Sequence, residues 1–231
     1  MKLGNEETLQ RIKGGLIVSC QALPEEPLHS SFIMGRMALA ASRAGAVGIR
    51  ANTVADIKEI RNMVDLPIIG IIKKVYDDCP DVYITPTIAE VDALTACGVE
   101  IIATDATRRD RPGGETIETF FSKVRAKFPD QLFMADCSNV EEGMEAAALG
   151  FDLIGTTMAS YTPYTRGCPL PPFDMIEYLV KNCGKPVVAE GNIITPEHLR
   201  HAMDLGVLTA VVGSAITRPL EITKRFVAVL K

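Results

Sequence analysis

Seven polar residues stand at the ends of short apolar runs: Gln21, Arg50, Lys73, Asp105, Asp136, Thr156 and Glu190. A strand has to end in something polar, so any one of them has an ordinary explanation. A set with a lysine, an arginine, two aspartates and a glutamate at the same relative place is different. Charges gathered at one rim need partners or a substrate. Lys73 is the sharpest of them. It follows Ile71-Ile72 directly, so its stem leaves a buried run. Only one of the adjacent Lys73 and Lys74 can face the interior, and the pattern favours Lys73. Desolvation and a nearby cation such as Arg50 would both lower its pKa. Proton abstraction requires this, because a free lysine near ~10.4 is almost wholly protonated at neutral pH. The alternative is that Lys73 reaches solvent as Lys74 would. Glu190 could address the sugar or carbonyl end of a ligand, or form a rim salt bridge to Lys73.

The chemistry of the far end of such a ligand is suggested by two turns. The stretches 186–193 and 209–215 each run apolar, stop at a glycine and lead into a helix start. Thr195 is a good N-cap with Pro196 at the first helical position, and Pro219 follows Arg218 in the second. Glycine lets a backbone approach a ligand closely, and a helix N-terminus offers free N–H groups and partial positive charge. Gly191, Gly213 and Ser214, with Arg218 at the mouth of the last helix, are therefore candidates to hold a phosphate. Taken singly, the glycines could be ordinary tight turns.

The elements that must position these residues repeat on one plan. Strands are expected at 15–20, 46–49, 66–72, 100–104, 132–135, 152–157, 186–190 and 209–212. Helices are expected at 31–43, 53–63, 87–98, 116–128, 138–150, 173–182, 195 onward and from 219 to the end. Thr87-Ile88-Ala89-Glu90 and Ser138-Asn139-Val140-Glu141 have the form of capping boxes. A short amphipathic piece at 7–13 could plug the barrel bottom, and 81–84 reads as loop, not strand. Near-continuous apolar strands are buried on both faces, as in a parallel sheet covered by helices. Eight such units predict an α/β fold, a single (β/α)8 TIM barrel over residues 1–231 with a phosphate site after strands seven and eight. A doubly wound open sheet is the competitor, but the first strand lacks GxGxxG. Tyr161 and Tyr164 lie in a long sixth loop that reads as a lid, and Tyr164 is a candidate substrate contact. His198 and His201 fall on one helix face as a surface pair. No His/Asp ring of the kind that binds a catalytic metal is visible, which counts against a metal-dependent pentose-phosphate epimerase on the same fold, and no metal is expected.

Composition narrows the partners. The net charge of −5 with no basic block leaves no electrostatic footprint for nucleic acid. No apolar run approaches membrane-spanning length. The start is polar and mixed in charge, and six cysteines are scattered without a CxxC pair. Both features set the expectation of reduced thiols and a cytoplasmic location.

Several phrases together carry a closer likeness: Gly70-Ile71-Ile72-Lys73-Lys74, the run from Thr104 to Pro112, Ala135-Asp136-Cys137-Ser138, Gly155-Thr156-Thr157 with Tyr161-Thr162-Pro163-Tyr164, and Ala189-Glu190-Gly191-Asn192-Ile193. They resemble the bacterial N-acetylmannosamine-6-phosphate 2-epimerases, essentially from end to end. The resemblance implies a cofactor-free barrel of sialic-acid catabolism that interconverts N-acetylmannosamine 6-phosphate and N-acetylglucosamine 6-phosphate. It implies Lys73 as proton-transfer residue and Glu190 as its catalytic partner. Gln21, Arg50 and Asp136 would then hold the sugar and N-acetyl group, and Arg218 the phosphate. None of these positions departs from the family pattern, whereas 78–84 and the surroundings of Cys168 look individual. A homodimer is expected, as is common among such barrels. The alternatives are another phosphate-binding barrel isomerase or synthase, as in tryptophan or thiamine biosynthesis, and a non-catalytic barrel that senses a sugar phosphate.

Overall fold

Unbroken apolar runs can only be satisfied when both strand faces are covered, and here eight of them pair in sequence order into a closed parallel barrel. The computed structural model describes residues 3–230. The strands are β1 (Leu16–Cys20), β2 (Gly48–Asn52), β3 (Ile68–Ile71), β4 (Ile101–Asp105), β5 (Leu132–Asp136), β6 (Leu153–Gly155), β7 (Val187–Glu190) and β8 (Thr209–Val212). The ring closes where Leu16 of β1 is in register with Ala210 of β8. The helices are α1 (Asn5–Ile12), α2 (Ser31–Arg43), α3 (Val54–Met63), α4 (Ile88–Ala96), α5 (Ile117–Lys127), α6 (Val140–Leu149), α7 (Phe173–Asn182), α8 (Pro196–Asp204) and α9 (Pro219–Ala228).

The two-residue period of the strands divides the core into two layers. Ile17, Ile69, Ile101, Met134, Val188 and Val211 fill the barrel, while Ile49, Ile68, Ile102, Phe133 and Ile154 pack outward against helix residues such as Ile60, Leu94, Phe121 and Leu179. Ile12 of α1 is fully buried with the inner layer, so the first helix plugs the barrel bottom. Helix starts are set locally. Thr87 and Glu90 form the expected capping box of α4. The second box is corrected by one residue. Asn139 is the N-cap of α6, its side chain accepting from the Glu142 amide, and Glu142 turns back onto Ser138. Gly150, left-handed at φ 95, ends that helix.

Differences at the strand ends bear on the site. β2 continues through Arg50 to Asn52, and β6 is only three residues long. β3 ends at Ile71, and the segment 81–84 is not a strand. It wedges between β3 and β4, with Lys73 and Ile84 forming an isolated antiparallel bridge and the Asp105 amide donating to the Ile84 carbonyl.

Candidate active site

Because alternate residues point inward, the last inward residue of each strand lies at the C-terminal rim. Arg50, Asp136 and Glu190 meet there. The Arg50 guanidinium donates from Nη2 to Asp136 Oδ2 at 2.6 Å and from Nη1 to Asp136 Oδ1 at 3.1 Å. The same Nη1 donates to Glu190 Oε2 at 2.7 Å. Arg50 and Asp136 are 1% and 0% exposed, so this is an ion cluster inside the protein. Burial raises the Glu190 pKa; Arg50 opposes this, and the Asp136 charge adds to the rise. Arg50 is clamped by Asp136 and offers Glu190 only one donor, so Glu190 is the carboxyl that more readily holds a proton.

Lys73 joins this cluster. Its backbone amide donates to Asn52 Oδ1 at 2.8 Å, which fixes the chain just beyond β3. Its side chain lines a cleft of about 260 Å³ together with Gln21, Arg50 and Glu190. Burial lowers its pKa from 10.5 to about 8; Arg50 and Arg218 push the same way, and Glu190 and Glu26 push back. Lys74 is exposed, pairs with Glu90 at 3.5 Å and lies over the Tyr76 ring. The choice between the two lysines thus falls as strand alternation predicts. Moving one proton from Lys73 to Glu190 leaves the net charge unchanged, so a neutral amine and a protonated carboxyl can coexist here at little electrostatic cost.

Gly191, Gly213, Ser214 and Arg218 line the other end of the same cleft. Gly191 has φ +124, where a Cβ would stand 3.2 Å from the Thr156 carbonyl oxygen. Asn192 follows at φ 57, so the chain turns sharply off β7. The Ile216 and Thr217 amides close a turn onto the Gly213 carbonyl. The first amides of such a turn have no partner inside it. Arg218 reaches Glu26 at 2.6 Å. The helix start at Thr195 does not line the cleft, and its side chain accepts from the His198 amide. Gly191→Ala is expected to lower stability by about 1–3 kcal/mol, since neither the backbone angle nor a carbonyl neighbour can yield. Urea unfolding of the variant measures it.

Other candidates are placed elsewhere. Thr156 is fully buried and exchanges hydrogen bonds with the Glu190 backbone, while the inward residue at the end of β6 is Thr157. Thr157 Oγ1 lies 2.6 Å from Asp136 Oδ1 and 3.2 Å from Glu190 Oε2. Asp136 does not line the cleft; it sits behind Arg50 with both oxygens engaged. Asp105 is paired with Arg109 at 2.8 Å and held by Thr107. The basic loop is committed to the protein as well. Arg108 pairs with Glu145, and Arg111 donates to the carbonyls of Thr85, Pro86 and Asp105. Tyr164 is 51% exposed, donates to Glu142 and lines a second cavity, whereas Tyr161 lines the cleft. His198 and His201 meet the Phe173 ring edge-on. Thr157 and Asn52 join the site beyond the seven strand-end residues, and alternation along β2 and β6 points to both.

Among the described residues no group of three or more His, Cys, Asp or Glu could hold a metal, and no helix is long and apolar enough to cross a membrane. Residues 34–231 match the NanE family, described as "Putative N-acetylmannosamine-6-phosphate epimerase". A relative from Clostridium perfringens, named "Putative N-acetylmannosamine-6-phosphate 2-epimerase", is 55% identical over 96% of this chain and 100% of its own. A solved structure of the N-acetylmannosamine-6-phosphate 2-epimerase from Clostridium perfringens superposes with a TM-score of 0.91 at 54% identity, covering 96% of this chain and 95% of that one. Thiamine phosphate pyrophosphorylase from Pyrococcus furiosus matches with a TM-score of 0.60 at 20% identity, covering 96% and 100%, a likeness of fold alone.

Proposed function

The chain belongs to the NanE family of N-acetylmannosamine-6-phosphate epimerases, and from that premise we propose that it interconverts N-acetylmannosamine 6-phosphate and N-acetylglucosamine 6-phosphate. The reaction inverts C2 of the open-chain sugar. The C1 carbonyl acidifies the C2 proton, a base removes it, and a proton returns to the other face. Lys73 is the base, and the observation that carries this role is its place in the cleft beside Arg50 and Glu190, where burial lowers its pKa to about 8. Arg50 and protonated Glu190 act on the carbonyl oxygen as negative charge develops there. Asp136 holds Arg50 in place. Gln21 Oε1 has no protein partner among the described residues and is suited to accept from the substrate's amide or a hydroxyl. The turns at Gly191 and Gly213-Ser214, with Arg218, take the phosphate and orient C2 over the rim.

Catalysis in this scheme needs Lys73 neutral and Glu190 protonated. The profile of kcat/KM against pH is therefore expected to be a narrow bell, falling on the acid side of neutrality and again above about pH 8, with limbs that belong to the pair. Glu190→Gln removes the group whose deprotonation ends the bell, so its residual activity is expected to show a single rising limb, set by Lys73 alone, with no fall above about pH 8. A pH series of initial rates on both proteins decides.

The homodimer expectation is supported by Leu220, Phe226 and Val229 at the C-terminal end, all exposed apolar side chains. A solution mass of one chain would overturn it. The six cysteines are free, in keeping with a location where thiols stay reduced. The function is tested by incubating purified protein with either sugar phosphate in excess EDTA and following both epimers by NMR. The expected result is the same final mixture from both directions, and no conversion would overturn the proposal.

A further inference from the structure

Two carboxylates share one arginine at the rim, and something must decide which of them carries a proton. The contacts of Arg50 go only part of the way, because its Nη1 faces both Asp136 Oδ1 and Glu190 Oε2. The other group in contact with both oxygens is Thr157. A threonine hydroxyl has one proton to give. Its distance to Asp136 Oδ1 is 2.6 Å, that of a short charge-assisted bond, and its distance to Glu190 Oε2 is 3.2 Å.

We infer that Thr157 is a positioning residue that assigns the proton: by donating to Asp136 it keeps that side chain as the anionic clamp of Arg50 and leaves the proton to Glu190. This rests on the epimerase reading for its catalytic consequence, but not for the location of the proton. Asp136 then receives three donor contacts, two from Arg50 and one from Thr157. Glu190 receives one short contact, from Arg50, and a longer one of 3.2 Å from the same Thr157 hydroxyl, whose single proton serves the nearer Asp136 oxygen better. The other groups around the pair do not reverse this. Lys73 beyond β3 favours the Glu190 anion only when it is itself charged. Asp105, in register with Asp136 on β4, is bound by Arg109. The Tyr83 phenol is pushed up by burial and by the neighbouring charges of Tyr161, Asp105 and Asp136, so it stays neutral.

The test is Thr157→Val, which keeps the branched shape and removes the hydroxyl, with Thr157→Ser as the conservative variant. Carboxyl 13C NMR across the pH range reads both side chains without turnover, and Asp136→Asn and Glu190→Gln assign the resonances. The expected result is a proton on Glu190 alone in the unaltered protein and in Thr157→Ser. In Thr157→Val the proton is no longer confined to Glu190, and the carboxyl resonances depart from their course in the unaltered protein. Turnover of N-acetylmannosamine 6-phosphate is expected to fall about 10- to 100-fold in kcat in Thr157→Val, the worth of one hydrogen bond to a charged group, with KM nearly unchanged. It recovers in Thr157→Ser. Identical carboxyl titrations in the unaltered protein and Thr157→Val would overturn the inference. Absence of turnover in the unaltered protein would overturn the epimerase reading alone, since the titrations stand apart from it.

Discussion

Lys73→Ala is expected to lower kcat by about 10³-fold or more while leaving the barrel folded, because a positioned general base contributes on the order of 10²–10⁴-fold and no second amine lines the cleft among the described residues. Alanine alone does not separate a base from a positive charge that steadies the enolate. Lys73→Arg does. It keeps the charge at the same place and cannot give up its proton, so it is expected to be as inactive as alanine. Single-turnover rates, with thermal melts to confirm folding, make the comparison. Near-normal turnover in Lys73→Ala would remove the lysine from the chemistry. Activity in Lys73→Arg with none in Lys73→Ala would make it an electrostatic group.

Arg50→Met is expected to cost about 3–5 kcal/mol of stability, as for any buried ion cluster that loses one partner. The substitution leaves Asp136, which is 0% exposed, facing Glu190 with no guanidinium between them. The sign of the pH effect follows. Without Arg50 the Glu190 carboxyl, already raised by burial, holds its proton still more tightly than in the unfolded chain, so the variant is relatively more stable at low pH and loses ground as pH rises through its raised folded pKa. The deficit against the unaltered protein is therefore larger at pH 8 than at pH 5. Adding Asp136→Asn should return part of the loss, since the uncompensated charge goes with it. Urea titrations of the single and double variants at both pH values check this. A deficit below about 1 kcal/mol at pH 8, within the range of an exposed pair, would mean the cluster is better hydrated than its burial indicates.

How much of this could be read in the sequence depends on which rule governed each residue. Apolar runs and capping residues govern the barrel, so α2 and α7 fall on 31–43 and 173–182 as expected. Strand alternation decided between Lys73 and Lys74, and the same rule applied to β6 gives Thr157 instead of Thr156. The cap of α6 slipped by one residue because Ser138 and Asn139 are both good N-caps, and only the fold shows that the Ser138 amide and hydroxyl are taken by Glu142. Asp105, Asp136 and the basic loop were harder for a different reason. Their partners are close in space, and no local pattern states whether a charge at the rim faces a substrate or another side chain. Tyr164 shows the same limit: a loop without periodicity says nothing about which way an aromatic ring turns, and this one turns to Glu142.

The central claim is that the C2 proton passes through a protein group that exchanges with water. The most direct measurement is proton NMR of N-acetylmannosamine 6-phosphate with the purified protein in deuterated water, without added metal or cofactor. The expected result is formation of the gluco epimer with deuterium at C2, abolished in Lys73→Ala. Conversion with full retention of the C2 hydrogen, or no conversion by a folded protein, would contradict it.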